Sequence, residues 1–327
     1  MKITMPVPTG IILALGMLAS LCTTNGFSQE YPSKHIRIVV GSAAGGSTDT
    51  LARVLASNLS NALSKQVIVE NRTGGSTSIA IQNVVSSVPD GHTLILLVSS
   101  SAALSAMGTK LPYDLERDLT FISQLATTPF VLVVNPSVPF YNVAGLVSYA
   151  RANPGKLTYG SVGIGSIIHL AGELFSEIGN VKLLHVPYKG GSESTLALVG
   201  GQIDMNFTTT VEVLPLAKAG KLRILGVTGK SRLESLPSVP TLNESGLAGY
   251  DLYAWYGLAA PAGIPAAITA RLNAEIVKIA NANEFKKLLL GHGLEIRTGT
   301  PEEFASLIQF EIKRNSGLIK RSKMRAE

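Results

Sequence analysis

The sequence predicts two doubly wound α/β domains joined by two crossover strands. Three observations carry this. Short apolar runs alternate with helical patterns, the alternation occurs twice in the same order, and two long apolar runs separate the halves. The first half reads as a strand at 36–40, a small-residue loop "GSAAGGSTDT" and a helix from about residue 48. A strand at 67–70, the run "NRTGGSTSIAIQNVVSSVPDG", a strand at 94–98 and "SSSAAL" follow. The second half reads as a strand at 157–159, the loop "GSVGIGS" and a helix from about residue 167. A strand at 183–186, "PYKGGSESTLALVGGQ", a strand at 203–207 and "TTTVEVL" complete it. One more strand closes each half, at 121–125 and 222–227, and the alternation argues for parallel sheets. Leu51, Val54, Leu55 and Leu59 form one apolar helical stripe; Leu170, Leu174, Phe175 and Ile178 form its counterpart. The runs "PFVLVVNP" at 129–136 and "YAWYGLAAP" at 253–261 are placed to cross between domains. Domain 1 is then 29–128 with 256–327, and domain 2 is 129–255. Helices at 266–281, 283–290 and 301–317 return to domain 1. Two crossovers make a hinge, and two facing α/β domains make a cleft.

The first 28 residues read as a cleaved signal peptide. Lys2 supplies a positive start, residues 11–21 are apolar, and the small residues Gly26 and Ser28 both precede the expected cleavage site before Gln29. The chain's single cysteine, Cys22, lies inside this segment, and Leu21 before it is too large for a lipid-attachment signal. The mature chain would hold no cysteine, which excludes a thiolate nucleophile, an iron–sulfur cluster and cysteine-bound zinc. The net charge of +6 does not indicate nucleic acid. From Glu311 onward there are six bases and two acids, so four of the six net charges sit in the last helix and tail.

Ligands of open α/β sheets sit beyond the carboxyl ends of the strands. The loops "GSAAGGSTD" and "GSVGIGS" both fall there, one per domain, each opening a helix whose N–H groups favour an anion. A nucleotide is excluded on the residues themselves. Ser47 stands where a P-loop needs lysine, and Ile168 where a dinucleotide fingerprint needs its third glycine. There is no nucleophile elbow. The histidines at 35, 92, 169, 185 and 292 show no metal spacing; His169 and Glu173 share a helix face without a third ligand. His169 reads as a loop brace or a cleft residue. Asp49 has two readings, a cap on its helix or a cleft carboxylate that accepts from a ligand. Asp204 reads as structural.

These residues together resemble the extracytoplasmic solute receptors of the tripartite tricarboxylate transporter family, the Bug-type receptors. The likeness rests on "YPSKHIRIVV", "AAGGSTDTLAR", "VIVENRTGG", "PDGHTL", "LPYDLERDLTFIS", "NPGKLTYGSVGIGS", "HVPYKGG", "GKLRILGVT", "LPSVPTLNESG" and "APAGIP", in this order along nearly all of the mature chain. The resemblance implies a type II periplasmic binding protein fold, a Venus flytrap, that takes a small carboxylate in its cleft without catalysis or cofactor. It implies a periplasmic monomer that serves a membrane permease or a sensor. The alternatives are an enzyme or a regulator's sensing domain on the same two-domain fold. Carried onto this chain, the implied ligand loops are Ala44, Gly45, Gly46, Ser47, Thr48 and Asp49, and Ser161, Gly163, Gly165 and Ser166. His169, Ser100 in the 99–101 turn, Thr209, and mouth residues near Tyr188 and Trp255 would set selectivity. The family's first loop commonly reads Pro-Phe-Pro-Ala-Gly-Gly; here Ser42 replaces the covering aromatic, which implies a roomier or wetter pocket.

Overall fold

The strand-forming runs are rich in Val, Ile and Leu because branched and bulky side chains suit buried, pleated backbone. The computed structural model describes residues 1–3, 31–108, 110–291 and 293–322. Its contacts define two units, 1–33 and 34–327, and the fold below is that of the second. The leader read into residues 1–28 falls, beyond residue 3, outside the described residues, as do Cys22, His292, Lys323 and Arg325.

The chain begins with β1 (Ile36–Val40), α1 (Ser47–Leu63), β2 (Val67–Asn71), α2 (Ser78–Val85), β3 (Thr93–Val98) and α3 (Ser99–Ala106). The long β4 (Leu119–Pro129) leads straight into β5 (Val131–Val134). Then come α4 (Val143–Ala152), β6 (Thr158–Ser161), α5 (Ile167–Gly179), β7 (Leu184–Pro187), α6 (Gly191–Val199), β8 (Met205–Thr208), α7 (Thr210–Lys218) and β9 (Arg223–Val227). The chain returns through β10 (Tyr253–Pro261) and ends with α8 (Ala266–Asn281), α9 (Asn283–Gly291), β11 (Glu295–Ile296) and α10 (Pro301–Ser322).

Two sheets result, ordered β11-β4-β10-β3-β1-β2 and β7-β6-β8-β5-β9. The expectation of wholly parallel sheets is corrected. Only β1–β2, β1–β3, β6–β7 and β6–β8 pair in parallel. β10 runs antiparallel to both β3 and β4, and β5 antiparallel to β8 and β9. The reason is the path of the chain. β4 leaves the first sheet and β10 comes back into it, so they run in opposite directions, and each joins strands already laid down.

Helices cover both faces of each sheet. Val39, Ile95 and Leu97 pack with Ile81 of α2, Ala102 of α3 and Phe304 and Ile308 of α10. Phe304 meets Phe121 and Trp255 edge-on, with ring centroids 5.5 and 5.6 Å away. Residue 257 must be glycine for this: a Cβ there would lie 2.2 Å from the Phe304 ring. In the second sheet, Val131, Val133 and Val227 pack with Leu198 of α6 and Val213 of α7. On its other face Phe207 sits between Phe175 of α5 and Tyr250.

Thr228 ties together the two segments that pass between the sheets. Its buried hydroxyl accepts from the Phe130 N–H at 2.8 Å and lies 2.7 Å from the Leu252 carbonyl, to which it donates. Its backbone N–H donates to Phe130 and its carbonyl accepts from Leu252. Thr228→Val keeps the shape and removes the hydroxyl's hydrogen bonds to Phe130 and Leu252. It should lower the unfolding free energy by about 1–3 kcal/mol, read from urea denaturation.

Candidate functional site

The site is built from loops that follow strands β1, β2, β6, β7 and β8, and they enclose a cavity of about 920 Å³. The first loop, between β1 and α1, is held from behind. Asp49 accepts from the Gly45 N–H at 3.0 Å, from Arg53 Nε at 2.9 Å and from Asn71 Nδ2 at 2.9 Å. Asn71 Nδ2 also lies 2.9 Å from the Ser42 carbonyl. Burial alone would raise the Asp49 carboxyl, but the bonds from Arg53, Gly45 and Asn71 hold it below the usual carboxylate range. Asp49 therefore braces the loop and does not line the cavity. In front, Gly46 caps α1 with no side chain, so first-turn N–H groups face the cavity uncapped. Ser42, Gly46, Ser47 and Thr48 line it. Ser42 Oγ is buried without a hydrogen-bond partner.

The second loop, between β6 and α5, is also fixed from behind. Ser161 Oγ accepts from the Gly163 N–H at 3.0 Å and lies 2.6 Å from His185 Nε2. His169 Nδ1 accepts from the Gly165 N–H at 3.2 Å. The rings of His169 and His185 stack 3.7 Å apart. Burial, then the neighbouring His185, pushes His169 down to about 3; burial pushes His185 down to about 4. Both are neutral, as Nδ1 of His169 must be to accept. Ser166 caps α5 by accepting from the His169 N–H. Of this loop Val162, Gly163, Ile164 and Ile167 reach the cavity.

The predicted residues thus divide into three groups. Ser42, Gly46, Ser47, Thr48, Ser100, Gly163, Tyr188 and Thr209 stand together on the cavity wall. Asp49, Ser161, Ser166 and His169 stand behind it as buried braces. Ala44 and Gly45 are exposed and off the wall, and Gly165 presses against Met107. Trp255 is not at the mouth. It is buried against Phe304, while the next residue, Tyr256, faces the cavity because side chains alternate along β10. Burial raises the Tyr256 hydroxyl to about 12, and it approaches Ser47 Oγ at 3.5 Å.

Two wall elements were not anticipated. Residues 73–78 form a third loop in which Gly74, Gly75, Ser76 and Thr77 all have positive φ, at 121°, 55°, 50° and 85°. Its signal was the run "TGGST" after a strand, chemically like the first loop. The other is Glu212, which opens α7 and lines the cavity. The loops also touch each other. Ser76 Oγ donates to the Ile164 carbonyl at 3.3 Å, and Ser100 Oγ accepts from the Ile167 N–H at 3.3 Å.

The cavity wall carries three charged side chains, Lys189, Glu193 and Glu212, and no guanidinium. Among the described residues no three His, Cys, Asp or Glu side chains are grouped to hold a metal, and no helix is long and apolar enough to cross a membrane. The Ser161–His185 contact has the length of a nucleophile–base pair, but Ser161 is fully buried and off the wall. What the arrangement offers is uncharged donors around an anion.

Acidification should weaken the second loop. Below about pH 6.5 the unfolded chain protonates its histidines while buried His169 and His185 stay neutral, so stability falls as pH drops toward 4. Glu173 beside them, raised by burial, acts in the opposite sense. Replacing His185 with Asn should flatten the stability curve between pH 6.5 and 4.5 by up to about 1.4 kcal/mol per pH unit, read as the difference from wild type.

Comparison with known proteins agrees with this geometry. The family model described as the tripartite tricarboxylate transporter family receptor matches residues 51–324. BugT of Bordetella pertussis is 31% identical over 315 residues, 95% of either chain. Rpa4515 of R. palustris, solved with adipate, is 32% identical with a TM-score of 0.87 over 90% of this chain and 99% of that one. MatC of Rhodopseudomonas palustris, solved with bound malate, is 30% identical with a TM-score of 0.83, over 88% of this chain and all of that one. The chain belongs to the tripartite tricarboxylate transporter receptor family.

Proposed function

We propose that the protein is a receptor that captures a small carboxylate between its two sheets, closes on it and presents the closed form to a membrane permease. One observation carries the reading: α1 begins on the wall with no side-chain cap on its first-turn N–H groups, and the hydroxyl residues Ser42 and Thr209 line the same cavity. Ser42 comes from the first-sheet side and Thr209 from the second. A carboxylate bonded to both satisfies donors that neither side satisfies alone, which favours the closed form. Adipate in Rpa4515 and malate in MatC support the ligand class. The moving bodies meet at the Phe130–Thr228–Leu252 junction; the expected boundary at 255 shifts to 252, because Tyr253, Ala254 and Trp255 of β10 pair with β4 and belong with the first sheet. The reading includes no catalysis, and it places the protein in the periplasm as a monomer after removal of residues 1–28. Asp49, Ser161, Ser166 and His169 hold the loops in shape, Asp49 and His169 through the Gly45 and Gly165 N–H groups; Ala44 stands exposed, and the wall residues named above make the contacts.

The test is a melting-temperature screen against mono- and dicarboxylates, followed by calorimetry. At least one acid should raise Tm in a dose-dependent way. Thr209→Val should then weaken its binding by about 5- to 10-fold, as loss of one hydrogen bond predicts. Ser42→Phe, which fills the wall with an aromatic ring, should narrow the range of acids bound. A full panel without effect on Tm would overturn the reading.

A further inference from the structure

Several helices begin on the cavity wall, and three of them, α1, α5 and α6, are not equivalent. α1 starts at Ser47 behind bare Gly46. α5 starts at Ile167, where Ser166 and Ser100 already occupy first-turn N–H groups. α6 starts at Gly191 behind bare Gly190. At this third N-terminus the protein's own carboxyl group is in place. Glu212 lies so close over Gly191 that a Cβ there would sit 2.8 Å from Oε2 and 2.9 Å from Oε1. Thr208 Oγ1 donates to Oε2 at 2.8 Å and fixes the group. Glu212 lines the cavity; burial raises its carboxyl above the usual range, the neighbouring hydroxyls act against that, and no cation stands beside it. The one basic side chain on the wall, Lys189, is exposed.

This arrangement divides the cavity chemically. An anion is welcome at α1, where N–H groups are free of any side-chain cap. At α6 the N–H groups are also uncapped, but a carboxyl stands beside the first residue, so an ionised group arriving there meets it with no counter-cation in a partly dehydrated wall, which is costly. A hydroxyl, amide N–H or ammonium arriving there finds an oriented acceptor instead. We infer that Glu212 is a specificity-determining residue, which selects carboxylates carrying a hydrogen-bond donor at their far end over plain dicarboxylates. This rests on the carboxylate-receptor reading and narrows its substrate class.

The experiment uses two length-matched sets at pH 7.5 by calorimetry: succinate, 4-hydroxybutyrate and 4-aminobutyrate, and adipate, 6-hydroxyhexanoate and 6-aminohexanoate. In wild type, the better donor-terminated acid of a set should bind at least tenfold more tightly than its dicarboxylate. Glu212→Gln preserves size and adds a donor, and it should reduce that ratio at least tenfold. Equal or tighter dicarboxylate binding in wild type overturns the inference without reference to any variant, so it stays decidable if the variant folds poorly. A wild-type preference that survives Glu212→Gln also overturns it, since the preference then lies elsewhere. If none of the six acids binds, the carboxylate reading itself falls and this inference with it; binding of all six with an unshifted ratio removes the inference alone.

Discussion

A helix that starts directly after a strand leaves its first N–H groups without helical partners, and in this chain that constraint organises the whole cleft. Gly46 and Gly190 provide no capping side chain to α1 and α6. Donors left bare at a wall cost about 1–3 kcal/mol each when water cannot reach them. They keep their direction only because the loops are fixed from the side away from the ligand. Asp49 and Asn71 do this for the first loop, and Ser161, His169 and His185 for the second. Polar side chains that look ready for a ligand are consumed in holding backbone for it.

A few well-placed contacts also govern the junction. Phe130, Thr228 and Leu252 form a compact hydrogen-bonded knot where the chain passes between sheets. At the opposite rim two hydrogen bonds, Ser76 to Ile164 and Ser100 to Ile167, bridge the loops. Each is worth about 0.5–1.5 kcal/mol net, so the rim contributes little against the freedom gained by opening. Most of the free energy that holds the cleft shut must come from whatever fills the space between the loops. α10 adds a further tether, rooted by Phe304 in the first core and reaching Glu177 of α5 through Arg321 at 2.7 Å.

Alternation of strand and helix was readable because side-chain period changes from two to about four along the chain, and the apolar stripes at Leu51, Leu55 and Leu59 and at Leu170 and Phe175 are buried where that period puts them. Strand direction was not readable: the antiparallel entry of β10 depends on a return path, which local pattern does not encode. The first two loops were legible from small residues after strands. The third carried the same signal, but Ser76 and Thr77 adopt left-handed backbone that their own side chains disfavour, so the sequence there suggests an ordinary turn. Asp49 and His169 could be placed near the site but not in front of or behind it, because burial is a tertiary property. Trp255 and Tyr256 differ by one residue and by a whole face of the sheet. Glu212 resembles any acidic residue in a helix's first turn, and only the approach of Gly191 distinguishes it.

The cleft wall carries no guanidinium and, besides Lys189, no cation. Capture by oriented neutral dipoles has a kinetic meaning. Long-range attraction between opposite charges is what salt screens within about 8–10 Å, and the cleft wall itself adds little of it to screen. Encounter then proceeds by ordinary diffusion, and the bound state depends on short-range bonds that exist only while the loops stay in register. Under the proposed reading, separation of the two halves would release cargo with no ion pair to be rehydrated on the way out. Retention and release would then respond to mechanical opening far more than to the salt of the surrounding medium.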